Sequence, residues 1–252
     1  MISFLSGKGR NKRAQVQRRR AMRRRTNAIK NLFSNKLMHQ MSYTDWRNKV
    51  RSKYGGPQGA FLSTASMLSL HLPLGERLLR EHKFDLRGAK RILDVGSGAG
   101  QIAQNLLKYA DTDAEITCFD LSPEMLGRAR VRMKSDRPMF VVTDLTHLPF
   151  EDESFDCVTC GYVLEHVPDT EAGLAELSRV MVPGGRMLLL ATEDSLAGGW
   201  TSHLWCCQTY NRRELRQMCH RLGLVWKQEL WFTRLHKILK FGGICVEIEK
   251  KV

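Results

Sequence analysis

Between Arg91 and Gly100 the chain reads Arg-Ile-Leu-Asp-Val-Gly-Ser-Gly-Ala-Gly, an apolar run that ends in alternating glycines. A strand ending in such a turn brings backbone N–H groups close to a ligand, with the N-terminus of a following helix facing it. The spacing is D-x-G-x-G-x-G. A dinucleotide fingerprint, G-x-G-x-x-G, places its third glycine three residues after its second; here Gly100 follows Gly98 by two. Asp94 lies on the strand itself, where a carboxylate disfavours a pyrophosphate and suits a cationic, amine-bearing ligand. A Rossmann-type dehydrogenase with a degenerate fingerprint is the alternative reading of the turn.

From Arg91 onward the pattern alternates strand and helix, as in a doubly wound parallel sheet. A helix is expected over Gln101 to Tyr109, then a strand Glu115 to Phe119 closed by Asp120, then Met139 to Thr143 as a third strand. Asp169 to Met181 reads as a helix with Leu174, Leu177, Val180 and Met181 on one face. Arg186 to Ala191 reads as a buried strand, and Asn211 to Leu222 as a helix stopped by Gly223. Val225 to Thr233 and Ile244 to Glu249 are the expected sixth and seventh strands. Residues 60 to 82 read as one or two helices interrupted near Pro73.

In this order and spacing the motifs resemble the class I S-adenosylmethionine-dependent methyltransferases, in the group that methylates small molecules. The resemblance covers roughly residues 75 to 250. It rests on Asp94 to Gly100, Asp120 at the end of strand two, Leu121-Ser122-Pro123-Glu124-Met125-Leu126, Asp144-Leu145, Leu148 to Asp156, Leu164-Glu165-His166-Val167 and Pro183-Gly184-Gly185. It implies a Rossmann-like seven-stranded sheet, mostly parallel with an antiparallel last strand, and S-adenosyl-L-methionine as cofactor. It also implies site roles. Gly96 and Gly98 would admit the methionine and ribose part of the donor, and Asp94 would orient its amino group or pin the glycine turn. Asp120 would accept from the ribose hydroxyls, with Leu121 beside it, or else cap a helix; Ser122 competes for the cap, with Pro123 at the first helical position. Asp144 would face the adenine amino group, or make a turn, and Leu145 would add apolar contact and its N–H. Gly161 and Tyr162 would line the methionine portion. An imidazole suits proton acceptance near neutral pH, so His166 is one candidate base. Because many relatives carry Leu-Glu-His-Val, a shared structural role for it stands beside that. His203 is the other candidate, in an insertion over 195–209 with Trp200, Trp205 and Tyr210 at hand. This insertion and residues 60 to 72 are expected to choose the acceptor.

The 252 residues carry a formal net charge of +14, but the charge is not spread evenly. Residues 1–53 hold 16 Lys and Arg against one acid, Asp45, which leaves 24 bases and 25 acids for 54–252. The organisation expected is therefore a basic arm and amphipathic helix over 1–53 and a methyltransferase domain over 54–252, with a helical cap at 54–88. Arg18-Arg19-Arg20 and Arg23-Arg24-Arg25 repel one another unless solvated or matched by an anion. The arm's readings are a helix packed on the domain behind a solvated tail, an anionic membrane surface or RNA bound through residues 8–36, or a transit peptide. No run reaches the roughly 18 apolar residues of a membrane span, and the start is too short for a signal-peptide core. Seven cysteines without framework spacing favour a reducing, cytoplasmic setting, with peripheral membrane contact through the arm. Cys157-x-x-Cys160 lies in a strand with no second ligand pair, so no metal is expected.

Three functions remain open. The first is methyl transfer to a small-molecule or lipid-like acceptor, although the segment before His166 does not closely reproduce the quinone C-methyltransferase pattern. The second is an RNA or protein methyltransferase that holds substrate with the arm; Cys160-Gly161-Tyr162-Val163 stands where amino-group nucleic-acid methyltransferases carry an Asn-Pro-Pro-Tyr-type turn. The third is a non-catalytic binding factor, which the full set Asp94, Gly96, Gly98, Asp120 and Asp144 argues against.

Overall fold

The computed structural model describes residues 71–195, 207–239 and 243–252, with the isolated helical positions Thr44, Asp45, Asn48 and Ser52. Apart from those four positions, the basic arm at 1–53, residues 54–70 of the cap at 54–88, and residues 196–206 with His203, Trp200 and Trp205 lie outside the described residues.

Seven strands form one sheet: β1 (Arg91–Val95), β2 (Glu115–Asp120), β3 (Pro138–Val142), β4 (Phe155–Gly161), β5 (Met181–Ala191), β6 (Leu224–Glu229) and β7 (Ile244–Lys250). Their order is β3-β2-β1-β4-β5-β7-β6. The pairs β1–β2, β1–β4, β2–β3 and β4–β5 are parallel, whereas β7 runs antiparallel to both β5 and β6. Among the described residues the helices are α1 (His71–Arg80), α2 (Gln101–Tyr109), α3 (Pro123–Met133), α4 (Thr170–Val180), α5 (Arg212–Arg221) and α6 (Arg234–Leu239).

Alternation along the strands splits the core in two. Leu93, Val95, Val158, Met187 and Leu189 pack with Leu174 and Leu177 of α4 and Leu215 of α5. Ile92, Cys157, Leu188 and Leu190 pack with Leu78 of α1, Leu106 of α2 and Ala129 of α3 on the other face. Side chains of successive strand residues point to opposite faces, so a central strand covered by helices on both sides is apolar at nearly every position. Asp94 and Thr159, both fully buried, are exceptions to that rule in the middle of the sheet.

Two strands differ from the sequence expectation. Strand β5 begins at Met181, and Pro183-Gly184-Gly185 forms an irregularity inside it, because the β4 partner shifts from Met181 at Phe155 to Arg186 at Cys157. Gly185 is needed there, since a Cβ would lie 2.8 Å from the Val182 carbonyl oxygen. Strand β6 stops at Glu229 rather than Thr233 because Leu230 and Phe232 turn into the core and α6 follows. Pro73 sits in the first turn of α1, where a missing N–H is tolerated, and the rest of the expected helical stretch, residues 60–70, lies outside the described residues.

Candidate functional site

The glycine turn sits where the strand order reverses, with β2 on one side of β1 and β4 on the other. Open α/β sheets take ligands in the crevice at such a point, beyond the carboxyl ends of the strands. The turn is tied to both neighbours. Ser97 N donates to the Phe119 carbonyl at 2.8 Å, and Gly98 N donates to Asp120 Oδ2 at 2.9 Å. On the other side the turn abuts Val163, just past β4.

Each glycine meets a different demand. Gly96 (φ 61°) is pressed against Val163, whose Cγ2 would lie 2.4 Å from an added Cβ. Gly100 (φ 81°) lies against Ala129 of α3, 3.1 Å from such a Cβ. Gly98 (φ 53°) meets no atom closer than 3.6 Å, so there only the left-handed backbone requires glycine. Helix α2 then begins with no side-chain cap at Gly100. Its first N–H groups and the positive end of its dipole stand at the crevice, a setting that favours a ligand carboxylate.

Two carboxylates oppose that end. Asp94 accepts from the Thr159 hydroxyl at 2.7 Å through Oδ1, while Oδ2 is buried without a partner among the described residues. Burial pushes its carboxyl up to about 6, with Thr159 acting against the shift. The hydrogen bond that holds the glycine turn to Asp94 runs from Ser97 Oγ to the Asp94 backbone carbonyl. Asp120 receives Gly98 N and Ser122 N on its two oxygens, and burial raises its pKa against those bonds. Ser122 caps α3 through Met125 N at 3.2 Å, with Pro123 at the first helical position. Asp120 is thereby left out of the helix cap. Beside it, Thr143 N donates to the Asp120 carbonyl, which places the end of β3 next to the end of β2. There Asp144 accepts from Thr146 N and Oγ1, both at 2.8 Å, in an Asx turn.

The remaining residues fall as follows. Leu121 is half-buried beside Asp120. The Leu145 side chain enters the core under Gly173, so it offers a ligand its backbone rather than an apolar surface. Gly161 lets Ile102 of α2 approach, since a Cβ there would lie 2.5 Å from Ile102 Cδ1. Tyr162 holds φ at 58°, uncommon for a bulky side chain, with its N–H bound to the Leu190 carbonyl. Strained backbone of this kind gathers at functional sites. His166 is half-buried at the end of a 3-10 turn, Leu164–His166.

Glu165, beside His166 just past β4, is tied into the fold by partners far away in the chain. Its side chain is 1% exposed, and Oε1 accepts from Thr192 N at 2.7 Å and Thr192 Oγ1 at 2.9 Å. Its backbone carbonyl accepts from Gln208 N, and Tyr210 Oη donates to the Leu164 carbonyl at 2.6 Å. The short turn after β4 therefore holds residues on both sides of the 195–206 stretch, Thr192 and Gln208. A run of Leu-Glu-His-Val could not announce this, because the partners are 27 and 43 positions away. Burial pushes the Glu165 carboxyl up to about 7 from an ordinary 4.5. A carboxyl whose folded pKa is raised favours the fold while protonated, and becomes a cost as pH rises through the folded value. The span corresponds to about 3 kcal/mol at most. Thermal unfolding followed from pH 5 to pH 8 is expected to show stability declining with pH, and Glu165→Gln is expected to reduce that decline, leaving the part below about pH 6 that Asp94 contributes. An unchanged slope in the variant would remove Glu165 as its source.

Among the described residues no cluster of His, Cys, Asp or Glu could hold a metal ion. The described cysteines are all buried, and burial raises the Cys157 and Cys160 thiols far from thiolate character.

The family described as "Methyltransferase domain" matches residues 93–189. The chain is 31% identical over 146 residues to the ubiquinone/menaquinone biosynthesis C-methyltransferase UbiE of Geobacter sp. strain M21, covering 56% of this chain and 62% of that protein. It is 37% identical over 134 residues to the demethylmenaquinone methyltransferase of Deinococcus radiodurans, covering 52% and 55%. The chain thus spans about three fifths or less of the length of these curated relatives. Among solved structures, magnesium protoporphyrin IX methyltransferase from Synechocystis PCC 6803 with bound SAH superposes with a TM-score of 0.65 at 15% identity, covering 81% of this chain and 99% of that one. The [4+2]-cyclase SpnF superposes with a TM-score of 0.57 at 20% identity, covering 72% and 81%. Such likenesses establish the fold, and the cyclase shows why function has to be argued from the site.

Proposed function

We propose that this chain, which has the class I methyltransferase fold and carries a methyltransferase domain over residues 93–189, transfers a methyl group from S-adenosylmethionine to a small, lipid-like acceptor of the quinone type. The observation that carries the reading is the pairing of an orphaned carboxylate oxygen on Asp94 with the uncapped N-terminus of α2 across a glycine turn. An ammonium suits the first and a carboxylate the second, so the crevice fits the amino-acid end of the donor. Asp120 keeps acceptor capacity beyond its two backbone bonds, enough for hydroxyl groups. Asp144 and the Leu145 backbone stand one strand further on, in reach of a base-like group.

When bound, the donor supplies a methyl group already activated by the sulfonium charge. The protein's task is to orient and to exclude water, holding the acceptor in line at close range. Asp94 holds the ammonium. Asp120 fixes the position along the crevice. The turn after β4 brings His166 to the carboxyl edge, where it is the candidate to take a proton from an acceptor hydroxyl. The quinone C-methyltransferases among the relatives favour a quinone-type ring over RNA or protein, against the weak fit of the segment before His166. Among the described residues no helix is long and apolar enough to cross a membrane.

Labelled methyl groups from S-adenosylmethionine, supplied with a fractionated cell extract, are expected to enter the lipid fraction. Label confined to RNA or protein would replace this reading with a macromolecular acceptor. Absence of donor binding by calorimetry would remove methyl transfer altogether.

A further inference from the structure

Helix α6 lies on the same edge of the sheet as the crevice. Strand β6 ends at Glu229, opposite Val246, and β7 starts at Ile244, opposite Ala191 at the carboxyl end of β5. The connection between β6 and β7 therefore emerges where β1, β4 and β5 end. Its root is fixed. Leu230 and Phe232 are buried, Lys83 Nζ donates to the Trp231 and Phe232 carbonyls, and Thr233 Oγ1 accepts from His236 N at 3.2 Å. The Phe232 ring meets His236 edge-on at 5.9 Å.

With its inner side held this way, α6 presents Leu235 and Ile238 outward, 62% and 76% exposed. They are three positions apart and share a face. From Thr233 to Lys240 the sequence holds Arg234, Lys237 and Lys240 and no acid. Two large exposed apolar side chains on a helix, in a stretch of sequence whose charged residues are all basic, form the pattern of a segment that enters the boundary of an anionic bilayer. Among the described residues the other strongly exposed large apolar side chains are Val131, Met139 and Val142, on α3 and β3 at the opposite end of the sheet order, and Val252, the last residue of the sequence.

We infer that α6 is a docking point for an anionic phospholipid surface, seating Leu235 and Ile238 among the acyl chains so that the carboxyl edge of the sheet faces the bilayer. The inference deepens the proposed function, and rests on it for the sense of the orientation: a lipid-like acceptor would then reach the crevice from the membrane without crossing water.

The test uses the full chain and vesicles of mixed phosphatidylglycerol and phosphatidylcholine, with bound protein measured by sedimentation. The double variant L235S/I238S is expected to partition about tenfold less than wild type, given the apolar area withdrawn, while its calorimetric affinity for S-adenosylmethionine stays unchanged. Equal partitioning of variant and wild type would overturn the inference, because the basic arm alone would then account for binding. So would a wild type that does not sediment with vesicles. A wild-type dimer in ultracentrifugation that L235S/I238S converts to monomer would assign the face to a second copy instead. Vesicle binding lost in the variant, in a protein that binds no donor, would leave α6 standing and remove the methyl-transfer reading.

Discussion

Asp94→Asn is expected to weaken S-adenosylmethionine binding about 100-fold while the protein remains folded. Asp94 offers the crevice a carboxylate whose Oδ2 has no partner among the described residues, and a buried charge pair that loses one member costs a few kcal/mol; 100-fold corresponds to about 2.7 kcal/mol. Stability should behave differently. The ionised carboxylate is itself a cost in the free protein, since burial raises it from an ordinary 3.8 to about 6. That cost reaches about 3 kcal/mol at neutral pH. Asparagine removes it and introduces an unpartnered N–H group worth about 1–3 kcal/mol in the other direction. The two changes offset, so the melting temperature should stay within a few degrees of wild type. The same pKa fixes the pH dependence of binding. An ammonium requires Asp94 ionised, so donor affinity should be flat above pH 7 and fall by up to tenfold per pH unit below about 6. Calorimetric titration of wild type and D94N between pH 5 and pH 8 reads both effects. A D94N protein that binds normally, or an affinity that does not fall in acid, would take Asp94 out of the donor site.

Gly96→Ala should destabilise the protein by about 2–5 kcal/mol, the larger of two effects at neighbouring glycines. Both Gly96 and Gly98 hold positive φ, which costs a non-glycine residue about 1–2 kcal/mol. Gly96 adds a collision, 2.4 Å from Val163 Cγ2 and 3.1 Å from Cγ1, whereas Gly98 has space around it. Overpacking of this kind costs about 1–3 kcal/mol. Gly98→Ala is therefore expected to lose only the backbone share. The collision and the backbone cost separate in a double-mutant cycle. Val163→Ala alone leaves a small cavity, but in combination with Gly96→Ala it should recover the steric part and leave the strain. Denaturant unfolding of the four proteins measures this; additive effects of the two substitutions would mean that Val163 is not what Gly96 makes room for.

The features legible in the sequence are local in sequence. Ser122 followed by Pro123 announces a capped helix three residues before its first buried side chain, Met125. The alternation of apolar runs and amphipathic stretches fixes a doubly wound sheet, because each strand and helix has its own period. D-x-G-x-G-x-G separates this turn from a dinucleotide fingerprint. The charge asymmetry between 1–53 and the rest is a matter of composition alone, and the arm it suggests lies, apart from four positions, outside the described residues. Local pattern also misled where local propensity and pairing disagreed. Pro183-Gly184-Gly185 has the composition of a turn and stands inside β5, where the β4 register shifts. Val225 to Thr233 has the composition of one long strand, yet it breaks at Leu230 to bury Leu230 and Phe232.

What the sequence determined by itself is the class of ligand the turn can take, since that depends on residue types a few positions apart. What only the tertiary structure decided is how those residues are held. Thr159 reaches Asp94 across 65 positions because β1 and β4 are neighbours in register. Val163 fills the space a Cβ at Gly96 would need, and Glu165 binds Thr192 because β5 ends beside the turn that follows β4. Parallel strands meet only through crossovers, so contacts between their carboxyl ends join residues far apart in the chain. The same geometry brings α6 to the rim of the crevice, because β6 runs parallel to β5 with β7 returning between them.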